Sequence, residues 1–200
     1  MIGVHVAHQV KDFDDWFQNF KTASVRNDLE TEYGLKTPRV IQDVRNPGHC
    51  NVVVQAPDAD TFNKFWDDPR ITSALEKRSD EFITPPQIWG MFRSHNLESQ
   101  NESHIGLVEH HLKDFDAWFE AFSIGTARKA VQPDYGMSVV RVLQNIETPG
   151  HCIAVWAVPD EDALGKFRAD PRTVAQIEKI SAHLEKSPEL LGTWKVHQIQ

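Results

Sequence analysis

Cysteine is nearly absent: Cys50 and Cys152 are the only two in 200 residues. One thiol in each half of the chain is not a disulfide framework, so both are expected to be reduced. No stretch approaches the roughly 18 consecutive apolar residues of a membrane span. The N-terminal Met-Ile-Gly-Val-His-Val-Ala-His interrupts its apolar residues with His5 and His8, so it has no hydrophobic signal core. A cytoplasmic location without a membrane partner is the resulting expectation. Basic charge is also scarce, with a net charge of −8, a pI near 5.6 and no clustered Lys/Arg stripe. That balance argues against nucleic acid as a partner, because a phosphate backbone needs a basic footprint. Nucleophile elbows, phosphate-binding glycine loops and dinucleotide fingerprints are missing, as are CxxC and HxxxH spacings.

What is present is repetition. Lys11-Asp-Phe-Asp-Asp-Trp-Phe17 returns as Lys113-Asp-Phe-Asp-Ala-Trp-Phe119, an offset of 102 residues. The same offset carries Tyr33-Gly34 onto Tyr135-Gly136, Pro47-Gly-His-Cys50 onto Pro149-Gly-His-Cys152, and Asp68-Pro-Arg70 onto Asp170-Pro-Arg172. The chain is two copies of one fold, with expected boundaries at 1–95 and 105–200 and a polar connector at 96–104.

Within a copy, alternating apolar residues predict a strand over Ile2 to Val10, and over Ile105 to Leu112 in the second copy. Asp12 can cap a helix in which Phe13, Trp16, Phe17 and Phe20 share one face. That helix is expected to run to Tyr33, where Gly34 ends it. Strands over Leu35 to Val44 and Asn51 to Ala56 are joined by a Pro-Gly turn. A second helix opens at Pro57-Asp58, restarts at Asp68-Pro69, and is followed by a last strand over Gln87 to His95. The order β-α-β-β-α-β gives an antiparallel sheet in spatial order 4-1-3-2 with both helices on one face. The uncovered face must be buried, and the identical neighbour is close at hand. The fold class is therefore α+β, two tandem ferredoxin-like repeats whose sheets pack as an intramolecular pseudo-dimer, with further homodimerisation left open.

The strand-His-x-Val/Leu-Lys-Asp-Phe-Asp-x-Trp opening (His8 to Trp16, His110 to Trp118), followed by the Asp-Pro-Arg helix, resembles the dimeric α/β-barrel superfamily. That superfamily includes antibiotic-biosynthesis monooxygenase-like domains and many uncharacterised relatives. The resemblance covers both copies. It implies an intramolecular dimeric α/β barrel and a range of activities: cofactor-free oxygenases, isomerases, polyketide cyclases, haem-dependent enzymes and non-catalytic proteins. Fold alone does not choose among these.

Three histidines recur in both copies: His8/His110, His49/His151 and His95/His197. The expected topology puts His8 and His49 at one edge of the sheet and His95 at the other. His8 and His110 are therefore the candidate general bases, each at the mouth of a pocket between sheet and helices. Trp16, Phe20 and His49 are the expected ligand-binding residues of the first pocket, and Trp118, Phe122 and His151 those of the second. The plainer alternative is that His8 bonds a strand end or the cap of the next helix. The aromatic stripe is in the first place core. His49 and Cys50 offer metal-ligand atoms, with His8 as a third, but adjacent strand residues point to opposite faces, so no metal site is assigned. Arg70/Arg172 and Arg39/Arg141 also recur and could clamp a carboxylate, but ion pairing with Asp68 or Glu76 is the plainer expectation.

The copies differ where side chains are large: Trp66 is matched by Arg168, Val54 by Trp156, Trp89 by Leu191 and Gln9 by His111. The two pockets are expected to be unequal. The resulting reading is a protein that binds a small apolar or aromatic molecule. If it is an enzyme, cofactor-independent oxygenation, isomerisation or cyclisation with a histidine base is expected. The alternatives are a non-catalytic ligand-binding or stress-type protein, and a haem- or transition-metal-binding protein.

Overall fold

A computed structural model describes residues 1–98 and 102–199. Of the connector expected at 96–104, residues 99–101 lie outside the described residues. The first repeat forms β1 (Ile2–Val10), α1 (Phe13–Thr22), α2 (Ser24–Tyr33), β2 (Lys36–Asp43), β3 (His49–Ala56), α3 (Ala59–Trp66), α4 (Pro69–Lys77) and β4 (Phe82–Asn96). The second forms β5 (His104–Leu112), α5 (Phe115–Ile124), α6 (Thr126–Val131), β6 (Ser138–Asn145), β7 (His151–Ala157), α7 (Ala163–Ala169), α8 (Pro171–Ile180) and β8 (Leu184–Gln198). Among the described residues, no helix is long and apolar enough to cross a membrane.

β1 lies between β3 and β4, and β3 between β1 and β2, which is the expected 4-1-3-2 order, and β8-β5-β7-β6 repeats it. Each repeat is thus an α+β, ferredoxin-like unit built on one four-stranded antiparallel sheet. Two compact units are resolved, residues 1–93 with 196–200, and residues 94–195.

The helix starts follow from the aspartates. Asp12 accepts a hydrogen bond from the Asp15 amide at 3.0 Å, and Asp58 does the same for Thr61 at 2.8 Å. Asp68 caps α4 just before Pro69, whose missing N–H costs nothing at a first helical position. The aromatic stripe is largely core, with Phe13, Trp16 and Phe17 buried. Gly34, at φ 67, ends α2 in the left-handed conformation that side chains disfavour.

Two expectations are corrected. The helix expected to continue to Tyr33 breaks at Ala23, which is extended (φ −65, ψ 102). A helix end leaves carbonyls without partners, and Arg26 reaches back to the Lys21 carbonyl at 3.4 Å. Arg128 treats the Phe122 carbonyl likewise at 3.1 Å. The last strand begins at Phe82 and not at Gln87, so Pro85 and Pro86 lie inside it. The register explains how: Ala7 pairs with Gln87 and Gln9 with Thr84, so two prolines sit opposite His8 alone. A bulge is where a strand tolerates residues that cannot donate to the ladder. In the second repeat, Ser187 and Pro188 face His110 in the same way.

Candidate functional site

Val6 and His8 are two residues apart on β1 and so share a face. Both line a cavity of about 660 Å³ between the first sheet and helices α1 to α4. Its walls are aromatic and aliphatic: Trp16 and Phe20 from α1, Phe62, Phe65 and Trp66 from α3, Val52 and Val54 from β3. Trp16 and Phe20 stack at 5.0 Å, and Phe62 and Trp66 at 6.0 Å. A guanidinium adds a polar corner, because Arg26 lies 4.4 Å over Phe20 and pairs with Glu30 at 3.0 Å. Glu30 also accepts from the Thr37 hydroxyl at 2.6 Å, which fixes that corner to β2.

His8 is buried and held on both sides. Its ring lies 5.2 Å from Trp16 and 5.9 Å from Phe82, and Nδ1 lies 2.9 Å from the Val6 carbonyl oxygen. A carbonyl can only accept, so Nδ1 carries the proton and Nε2 the free lone pair. Desolvation lowers the His8 pKa to about 4, the Val6 bond acts the other way, and the Arg78 charge adds to the lowering. At neutral pH His8 is an uncharged hydrogen-bond acceptor in an apolar wall.

The first-repeat candidates thus separate. His8, Trp16 and Phe20 converge on one cavity, whereas His49 does not line it. His49 is the register neighbour of Gln9, and its Nδ1 lies 3.7 Å from Asp43. The plainer account of Arg70 stands: it bonds Asp68 at 2.8 Å and Glu32 at 2.9 Å, and Tyr33 donates to Asp68 at 3.0 Å. Asp170, Arg172, Asp134 and Tyr135 repeat the cluster. Hydrogen bonds from the arginine hold each aspartate well below the carboxylate range. His95 and His197 bond Gln144 and Gln42 and pack on Phe115/Phe119 and Phe13/Phe17, away from either cavity.

In the second repeat His110, Trp118 and Phe122 line a cavity of only about 120 Å³, and His151 does not line it. The cause is Trp156 in the place of Val54: its ring packs 5.1 Å from Phe167 and joins the core with Val108, Leu164 and Val139. His110 differs from His8 in a second way, since its Nδ1 is buried without a hydrogen-bond partner. Burial and the Arg168 charge lower its pKa to about 3.

The donor set of His8, His49 and Cys50 is not among those that converge; Cys50 is fully buried and its thiol is pushed up to about 12 by desolvation. A different set does converge among the described residues, Glu109, His111 and His151. Its signal was the i, i+2 pair Glu109 and His111 on one strand face; that His151 stands opposite His111 follows from the β5–β7 register.

Neither a family model nor a curated protein sequence matches the chain. Solved structures do. The chain is similar to an anthrone oxidase-like protein at 11% identity and a TM-score of 0.61, covering 98% of this chain and 91% of that one. It is similar to chlorite dismutase from Candidatus Nitrospira defluvii in complex with imidazole at 14% identity and a TM-score of 0.56, with 98% and 90% covered. It is also similar to a candidate monooxygenase from Lactobacillus acidophilus NCFM at 11% identity and a TM-score of 0.55, with 98% and 93% covered. These likenesses span both repeats and define the class: the chain has the ferredoxin-like, dimeric α/β-barrel fold.

Proposed function

We propose that the protein binds one small, largely aromatic molecule in the first-repeat cavity, oriented by a hydroxyl or N–H that donates to His8 Nε2. The carrying observation is the cavity of about 660 Å³. Pockets that enclose small organic ligands measure about 300–1,000 Å³ and are apolar, with few polar groups. The second cavity falls below that range, so one site per chain is expected.

Catalysis by His8 as a base, the role expected from sequence, meets an energetic obstacle. Moving a proton from a phenol of pKa ~10 to an imidazole near pKa 4 is uphill by on the order of 8 kcal/mol. Acceptance of a hydrogen bond has no such cost. Proton abstraction becomes accessible only with a more acidic substrate, or with one whose negative charge raises the imidazole pKa. An aromatic ligand of that acidic type is in keeping with the likeness to an anthrone oxidase-like protein.

The test is titration of the full chain with 1-naphthol and, separately, naphthalene, read by quenching of the pocket tryptophans. One naphthol per chain is expected, with His8→Gln weakening naphthol about tenfold and leaving naphthalene unchanged, the size of one net hydrogen bond. Equal binding to His8→Gln and wild type would remove His8 from the site. A Soret band in the purified protein would replace this reading with the haem alternative.

A further inference from the structure

We propose that the second repeat carries a site for a zinc-type divalent cation, made by Glu109, His111 and His151. It is separate from the small-molecule cavity, which first-repeat residues line, and from the smaller second cavity, because Glu109 and His111 flank His110 on β5 and so point to the opposite sheet face.

The sheet register builds the site. Glu109 and His111 are two apart on β5, and His151 on β7 is the cross-strand partner of His111. Residues so placed have side chains within reach of one another. The ligand atoms of all three lie within 4.8 Å of one another. One Glu109 oxygen lies 2.8 Å from His151 Nε2 and the other 3.3 Å from His111 Nε2. His111 Nε2 is sealed from solvent and makes no aligned hydrogen bond, so a buried polar atom points into the cluster. Tetrahedral zinc with ligands at about 2.0–2.1 Å separates neighbouring donors by roughly 3.3 Å, so rotamer-sized shifts suffice. Two imidazoles and a carboxylate suit zinc, copper(II) and nickel(II) over calcium or magnesium, which favour all-oxygen shells.

Two further features fit a cation. Lys186 Nζ lies 3.6 Å from Glu109 and 3.8 Å from Glu189, the cross-strand partner of Glu109 on β8. An ammonium thus already occupies a position between two carboxylates, on a side chain half exposed and able to swing away. The first repeat lacks the set: at the matching positions it has Ala7, Gln9, His49 and Thr84. The donors were assembled in one copy only, which makes the other copy an internal control.

The test uses the full, untagged chain, stripped with a chelator and titrated with zinc by calorimetry, with metal content checked after dialysis. One zinc per chain is expected, with a thermal transition that rises with zinc concentration. The double variant Glu109→Ala, His111→Gln restores the first repeat's own residues and should lose retained zinc, while His49→Ala keeps it. Lys186→Ala should bind zinc several-fold more tightly, a gain that misfolding cannot mimic. Less than one equivalent in the wild type, or unchanged stoichiometry in the double variant, would overturn the proposal.

Discussion

Exchange of one side chain between the repeats should exchange their cavities. Val54 lines the large cavity and Trp156 stands at the matching position in the small one. In Val54→Trp an indole enters a space of about 660 Å³, so it can be accommodated without displacing core neighbours. Its additional buried apolar area, about 80 Å² over isopropyl, contributes up to ~2 kcal/mol at ~25 cal/mol per Å². Trp156→Val does the reverse. The indole leaves a core that it shares with Phe167 and Val139, and Trp→Ala truncations cost ~3–5 kcal/mol. Valine restores a part of the volume, so a loss of ~2–4 kcal/mol is expected. Denaturant unfolding monitored by far-UV circular dichroism measures both changes, and 1-naphthol titration measures the cavities. Val54→Trp should keep or gain stability and lose naphthol binding; Trp156→Val should lose stability and make room for a second ligand. A loss above about 2 kcal/mol in Val54→Trp, the cost of overpacking a filled core, would refute the reading of that space as a cavity.

The acid limb of stability should belong in part to the two buried imidazoles. Their pKa values fall from an ordinary 6.5 to about 4 for His8 and about 3 for His110, so the folded state binds fewer protons than the unfolded chain between those limits. Stability is then complete above pH 6.5 and lost as pH falls toward 4 and 3, by on the order of 3 kcal/mol for His8 and 5 kcal/mol for His110. The double variant His8→Gln, His110→Gln should flatten that slope in a pH series of urea melts; an unchanged slope would show that the imidazoles are not desolvated. Cys50 and Cys152 are wholly buried with thiols pushed up to about 12, so a thiol reagent should modify neither in native protein and both after denaturation. A β-carbon at Gly48 would meet the Val10 carbonyl oxygen at 2.6 Å, and one at Gly150 the Leu112 oxygen at 2.5 Å. Since neither backbone oxygen can swing aside, Gly48→Ala and Gly150→Ala should each lower the melting temperature by several degrees, about 1–3 kcal/mol.

The repeat made the fold legible. An aspartate, an aromatic face, a Pro-Gly turn and an Asp-Pro restart, each present twice, order the elements without tertiary information. The errors came where tertiary contacts overrule local pattern. Nothing in Thr22-Ala-Ser24 announces a helix break, because what stabilises it is the Arg26 side chain folding back onto Lys21 and Phe20. Pro85-Pro86 reads as the boundary before a strand unless one knows that His8 faces a bulge. The Pro-Gly turns were legible as turns, but their tightness depends on the Val10 and Leu112 carbonyls, which come from a different strand.

The candidate sites were less legible, for the same reason. Trp16, Phe20 and His8 could be assigned to one wall from helical and strand spacing alone. His49 and His151 could not be kept in the pockets, since they belong to the opposite sheet face, where their cross-strand neighbours decide what they touch. In the first repeat that neighbour is Gln9; in the second it is His111, next but one to Glu109. Register therefore turns the same histidine into two different chemical groups. Duplication gave each unit a buried histidine on the helix side of the sheet and a second one on the other face. Trp156 fills much of the second cavity, and Glu109 and His111 place metal-type donors on that same repeat. The division predicts independence: zinc should not alter naphthol affinity, nor naphthol the zinc affinity. Any coupling above threefold would refute that independence.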